Sequence, residues 1–153
     1  MTAVTYNFTD GTQVGHPIPH DTQNKGFGIY TRRNVIDFAV GQTLTDSTSD
    51  VAQVIKADAG SICLGVLVRI ITAETANGEI DIGVGTAGVE WGSAMNIAGS
   101  NMLVPIFVAP YYFASADTID ISQDSTTGAV DIDGAKLEVI ALFIDSSSTI
   151  DAL

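Results

Sequence analysis

The side chains best placed to do chemistry in this chain are a glycine triplet, some closely spaced acids, two histidines and one cysteine. Gly83-Val84-Gly85-Thr86-Ala87-Gly88 satisfies G-x-G-x-x-G, the spacing by which a strand-to-helix turn cradles a dinucleotide pyrophosphate on backbone N–H groups. That chemistry needs a helix at the loop and an acid about 20 residues on for the ribose, yet no acid lies between Glu90 and Asp117. Glycines closing a strand, with a wide loop carrying Val89, Glu90 and Trp91, are the better account. Asp131-Ile132-Asp133-Gly134 looks like part of a calcium loop, since alternate carboxylates can converge on one hard cation. It lacks the earlier Asp, and Glu138 follows the glycine too closely. A solvated strand end therefore fits better, with Asp131 and Asp133 toward water and Val130 and Ile132 toward the core.

His16 and His20 are four residues apart, a metal-binding spacing on a helix, but Pro17 and Pro19 exclude a helix there. No other histidine exists, so a Ser-His-Asp or Cys-His arrangement would take its base from this proline-rich stretch. Cys63 lies in an apolar run and reads as a buried, inert thiol. Asp81, Asp120, Asp131 and Glu138 alternate with apolar residues, as in an outward polar sheet face, and not as a hydrolytic carboxylate pair. Asn7-Phe8-Thr9 is a glycosylation sequon, but Met1 to Asp10 contains no secretory signal. No catalytic set emerges. The expectation is a protein that is not an enzyme and uses no cofactor or metal.

The elements that must position these residues are short. From Tyr30 onward, β-branched and aromatic runs alternate with Gly, Asp, Asn and Ser turns: 34–40, 52–57, 62–75, 79–84, 103–108, 118–122, 129–132 and 135–144. About eight strands at this spacing predict an all-β sandwich, jelly roll or barrel. Only Ser93 to Met102 has any helical character, weakened by Gly99. Asn77-Gly78 predicts a type I′ hairpin joining the long run to Glu79–Val84. Within the long run, Ile62, Leu64, Val66, Val68 and Ile70 share one face. Cys63, Gly65, Leu67, Arg69 and Ile71 form a second face too apolar for open water.

Residues 1–30 are rich in Thr, Asn, Gly and Pro and read as an extended N-terminal arm; 31–146 form the sandwich domain and 147–153 a short polar tail. The chain of 153 residues carries 18 Asp and Glu against 6 Lys and Arg, a formal charge of −12, which argues against nucleic acid and anionic lipid as partners. No apolar run approaches the roughly 20 residues of a membrane span. Candidate interface residues are Phe27, Ile29 and Tyr30 at the end of the arm, Arg32 and Arg33 beside it, and Leu67, Arg69 and Ile71 on the second face of the long run. Trp91 joins them from its loop. Tyr111, Tyr112 and Phe113 are divided between interface and core.

The stretches VAQVIKADAGSICLGVLVRIITAET, EIDIGVGTAG, PYYFASADTIDIS and LEVIALFID resemble small structural proteins of tailed bacteriophages, notably those infecting marine bacteria and cyanobacteria. The resemblance covers Val51 to Asp145. It implies a jelly-roll-like antiparallel β-sandwich made in the host cytoplasm that binds the outer capsid surface as a decoration or cement protein. It further implies the major capsid protein as partner and a homotrimeric state. Two alternatives remain open: a tail or fibre component, and a carbohydrate-binding module using Trp91, Tyr111 and Tyr112 as a stacking platform.

Overall fold

The structure, a computed structural model, describes residues 5–7, 28–40, 43–45, 50–75, 78–85, 88–99, 103–107, 109–124 and 131–145. Among them are ten strands and no helix. These are β1 (Thr5–Asn7), β2 (Gly28–Asp37), β3 (Val51–Ala57), β4 (Ser61–Thr72), β5 (Glu79–Gly83), β6 (Gly92–Asn96), β7 (Leu103–Ile106), β8 (Tyr111–Tyr112), β9 (Asp117–Gln123) and β10 (Lys136–Asp145). One sheet has the order β1-β3-β9-β5-β6; the other has the order β2-β10-β4-β7, with β8 also paired to β4. All pairings are antiparallel except that of β1 with β3.

From β2 to β10 the chain changes sheet at every connection except β5 to β6 and β7 to β8. With β7 and β8 sharing one position, the two sheets are the double Greek key of a jelly roll, which bears out the predicted all-β sandwich. The same topology corrects the Asn77-Gly78 hairpin. Asn77 lies outside the described residues, and β4 and β5, on either side, belong to different sheets, so the connection crosses the sandwich. Gly78 suits that crossing because a Cβ there would lie 2.7 Å from the Glu74 side chain. The helical reading of 93–102 is also corrected: Gly92–Asn96 is the edge strand β6, with Ile97 buried.

The core lies between the sheets. Val66, Val68, Ile70, Leu137, Val139, Ala141 and Phe143 face Val54, Ile55, Ile80, Ile82, Ile119 and Ile121, all buried. Each large aliphatic side chain removed from water in this way stabilises the fold by about 1.5–3 kcal/mol. The predicted one-face alternation of the long run holds only from Val66 onward. A β-bulge between Leu142↔Gly65 and Phe143↔Cys63 absorbs Leu64, so before the bulge Cys63 turns inward while Ile62 lies half-buried opposite Ile144. A second irregularity in β3, between Gln53 and Ile55, buries Val54 and Ile55 together. Ile132, the last residue of the predicted strand 129–132, forms an isolated bridge with Leu44; residues 129 and 130 of that run lie outside the described residues.

Candidate protein interface

The two sheets present outer faces of different chemistry. On the β1-β3-β9-β5-β6 sheet, Asp81 and Asp120 alternate with core residues as predicted, but they are only 8% and 3% exposed, which corrects the expectation of a solvated acidic coat. Each is met by a neighbouring backbone N–H: Ala94, in the edge strand β6, donates to Asp81 Oδ1 at 2.9 Å, and Gly85, in the loop after β5, donates to Asp120 Oδ2 at 2.9 Å. Glu90 closes the same loop by accepting Val84 N–H at 2.8 Å. Two N–H groups of the G-x-G-x-x-G stretch are therefore taken by carboxylates, whose charge would repel a phosphate. The glycines serve tight backbone approach, since a Cβ on Gly83 would lie 2.1 Å from the carbonyl carbon of Gly88. Burial pushes the Asp120 carboxyl up to about 6, an effect the Gly85 N–H only partly offsets.

Glu74, just after β4, is 3% exposed and receives three successive N–H groups on Oε2, from Asp133, Gly134 and Ala135 at 3.2, 3.0 and 3.1 Å. Thr75 N–H donates to Oε1 at 2.8 Å. Burial raises this carboxyl, and the backbone donors outweigh it, so the group is held below its ordinary value. Asp131 and Asp133 are exposed on either side of the buried Ile132.

The outer face of the β2-β10-β4-β7 sheet is open and largely apolar. Its register sets Arg33, Ile140, Leu67 and Pro105 in one row, and Val35, Glu138 and Arg69 in the next. Ile29 and Val35 are 47% and 45% exposed, and Ile140, Leu142, Leu67 and Ile71 are half-buried. Phe107, 61% exposed, lies over Gly65, where a Cβ would come 2.5 Å from its ring. Among these residues, Glu138 pairs with Arg69 Nε at 2.9 Å and with Arg33 at 3.5 Å, and Lys136 pairs with Asp37 at 2.9 Å. Glu138 is thus a buried acceptor for two half-exposed guanidinium groups, and not the solvated side chain its alternation suggested.

Of the residues singled out in the sequence, Ile29, Arg33, Leu67 and Arg69 lie on this face, while half-buried Ile71 falls in a register shift, where Thr72 and not Ile71 pairs with Lys136. Tyr30 and Arg32 do not, because alternation along β2 turns them inward. Tyr30 stacks on Phe143 with centroids 5.4 Å apart. The Arg32 guanidinium lies over both rings, pairs with Asp58 and donates to the Lys56 carbonyl, which ties β2 to the β3–β4 turn. Trp91 is corrected from interface to core: it is 1% exposed, stacked on Phe113 and edge-on to Tyr111. The Trp91, Tyr111 and Tyr112 platform for sugars is lost with it, leaving Tyr112 alone exposed. Phe27 lies outside the described residues. Sequence reading missed Val35, Ile140, Leu142 and Phe107. The first three carry a usable signal, the outward positions of two long alternating strands; Phe107 carries none without knowledge of its packing on Gly65.

No family model and no curated protein matches the chain. Among solved structures, it is similar to a chain of the capsid of Ralstonia phage GP4, with 11% identity, a TM-score of 0.62 and coverage of 94% of this chain and 99% of that one. It is similar also to a chain of the cyanophage Pam1 capsid asymmetric unit, with 17% identity, a TM-score of 0.57 and coverage of 88% and 97%. A third match is to the acid-stable capsid structure of Helicobacter pylori bacteriophage KHP30, with 13% identity, a TM-score of 0.55 and coverage of 78% and 89%. At these identities the likeness is one of fold.

Proposed function

We propose that this chain is a virion structural protein that binds the outer surface of a phage capsid as a decoration or cement protein and stabilises contacts between capsid subunits. The observation that carries the reading is the extent of the match: this jelly roll spans nearly the whole of chains from three phage capsid structures, 89–99% of each. The correspondence runs both ways, since 78–94% of this chain is covered as well. The major capsid protein is the partner, and a homotrimer supplies the valency by which individually weak contacts hold adjoining subunits against internal genome pressure. Of the N-terminal segment, Thr5–Asn7 is held on the sandwich as β1, so residues 8–27, tied at both ends by β1 and β2, are the part that extends those contacts to a neighbouring subunit, with an out-and-back reach on the order of 30 Å. Particles assembled without this chain are expected to form but to release their genome at a lower temperature, with the loss reversed by adding the purified protein. Unchanged thermal release, with and without the protein, contradicts the reading.

A further inference from the structure

We infer that the outer face of the β2-β10-β4-β7 sheet is the surface that seats this chain on the capsid, its counterpart being a protein surface with an apolar centre and carboxylates at its edge. The inference rests on the proposed virion role. The two outer faces differ in what they offer a partner. On the opposite sheet Asp81 and Asp120 are buried and already accept backbone N–H groups, Asp81 from the edge strand β6 and Asp120 from the loop after β5. Among the described residues, none covers Ile29, Val35 and Phe107 on the β2-β10-β4-β7 face, where they stand exposed beside half-buried Leu67, Ile140 and Leu142. Clustered apolar groups with arginines among them are the composition of an interface centre.

Charge selects the counterpart. The face holds Arg33, Arg69 and Lys136 against Glu138 and Asp37, three cations to two carboxylates, while the rest of the chain has three cations to sixteen carboxylates. An acidic surface would repel this molecule in most orientations and accept it through this face, so Arg33 and Arg69 set the orientation of approach. Glu138 pairs with both guanidinium groups while they remain 55% and 54% exposed, which holds them ready for an outside carboxylate.

Area decides between the capsid and a second copy on the same face. β2, β10 and β4 are 10, 10 and 12 residues long, so at about 3.3 Å per residue and about 4.8 Å between strands the face, with the short β7, offers on the order of 600 Å². That is below the ~800 Å² per partner of a standard interface, and well below what a permanent dimer needs. A twofold contact through this face would also set Arg33 and Arg69 against their own copies. The contact is too small to hold a pair in solution, and it suits a surface where copies repeat it.

The test measures cosedimentation of the full-length protein with capsids that lack it. Phe107→Glu places an acid on the face away from Glu138, Val35→Glu places one directly opposite Glu138, and Val89→Glu makes the same change at a residue 51% exposed in the loop after β5. Thermal melts establish that each variant folds, and light scattering gives its oligomeric state. Phe107→Glu and Val35→Glu are expected to weaken capsid binding by about tenfold or more, with Val89→Glu within about twofold of the parent. Parent-like binding by both folded face variants overturns the inference and leaves the virion role standing. An oligomer dissolved by Val35→Glu assigns the face to a second copy and also overturns it. Failure of the parent protein to bind any capsid removes the proposed function itself.

Discussion

Asp120 and Glu74 are both buried carboxylates, and their surroundings drive them in opposite directions. Asp120 has its pKa raised to about 6 from 3.8, so the folded state holds the proton more tightly than the unfolded chain. Its contribution therefore grows as pH falls from 7 to about 4, by roughly 1–2 kcal/mol once solvent screening is allowed for. Glu74 is shifted down, so its contribution is present above 4.5 and is lost as pH falls through its lowered value. Melting temperatures measured across pH are expected to rise from pH 7 to about 4.5 and to decline in stronger acid. Asp120→Asn keeps an acceptor for Gly85 N–H and flattens the first limb; Glu74→Gln flattens the second and lowers stability near neutrality by about 1.5–3 kcal/mol. A parent profile flat between pH 7 and 4.5 would remove this assignment for Asp120. Neither environment is visible in the sequence. The alternation that places Asp120 and Glu138 outside the core is legible, but whether a loop or a guanidinium then covers them depends on segments distant along the chain.

Strands were the most legible elements, since β-branched alternation is a local property. Most of the predicted runs correspond to observed strands, with β3, β5, β9 and β10 bounded within a residue or two. Membership of a sheet was not legible. A turn such as Asn77-Gly78 is equally compatible with a hairpin and with a crossing between sheets, and the jelly-roll winding chooses the second. The edge strand β6 escaped notice because GSAMN has neither β-branched residues nor alternation. The bulge at Leu64 changes which residues of β4 face inward, and Gly65 beside it gives the clearest element-scale prediction. A Cβ at Gly65 would approach the Phe107 ring at 2.5 Å and the Ile106 carbonyl oxygen at 2.8 Å, so β7 must shift. Gly65→Ala is expected to destabilise the protein by about 1–3 kcal/mol in denaturant titrations. Phe107→Ala in the same chain should restore part of that loss, because the ring can be removed but the carbonyl cannot. Gly65→Ala without effect on stability would mean that Phe107 does not rest on the sheet.

At the scale of the whole molecule, charge and apolar surface are segregated. One sheet buries acids beneath its edge strand and a loop; the other exposes aliphatic side chains, Phe107 and half of the chain's six basic residues. The candidate face was partly legible, because Leu67 and Arg69 share a side of one long strand, while its neighbours on β2 and β10 required the strand order, and the register shift after Ile70 puts Thr72, not Ile71, opposite Lys136. The segment read as an arm is only partly separable from the sandwich, because Thr5–Asn7 is β1 and pairs with β3, while β2 begins at Gly28. Replacing residues 9–26 by a Gly-Ser linker of equal length spares both strands. The change should leave the melting temperature of the sandwich within a few degrees while lowering capsid occupancy; undiminished occupancy would leave this segment without a role in binding. The most direct measurement is the position and copy number of this chain in an imaged virion. Many copies are expected, repeated with the capsid symmetry on its exterior and seated through the β2-β10-β4-β7 face. A handful of copies confined to the tail, or none in the particle, would contradict it.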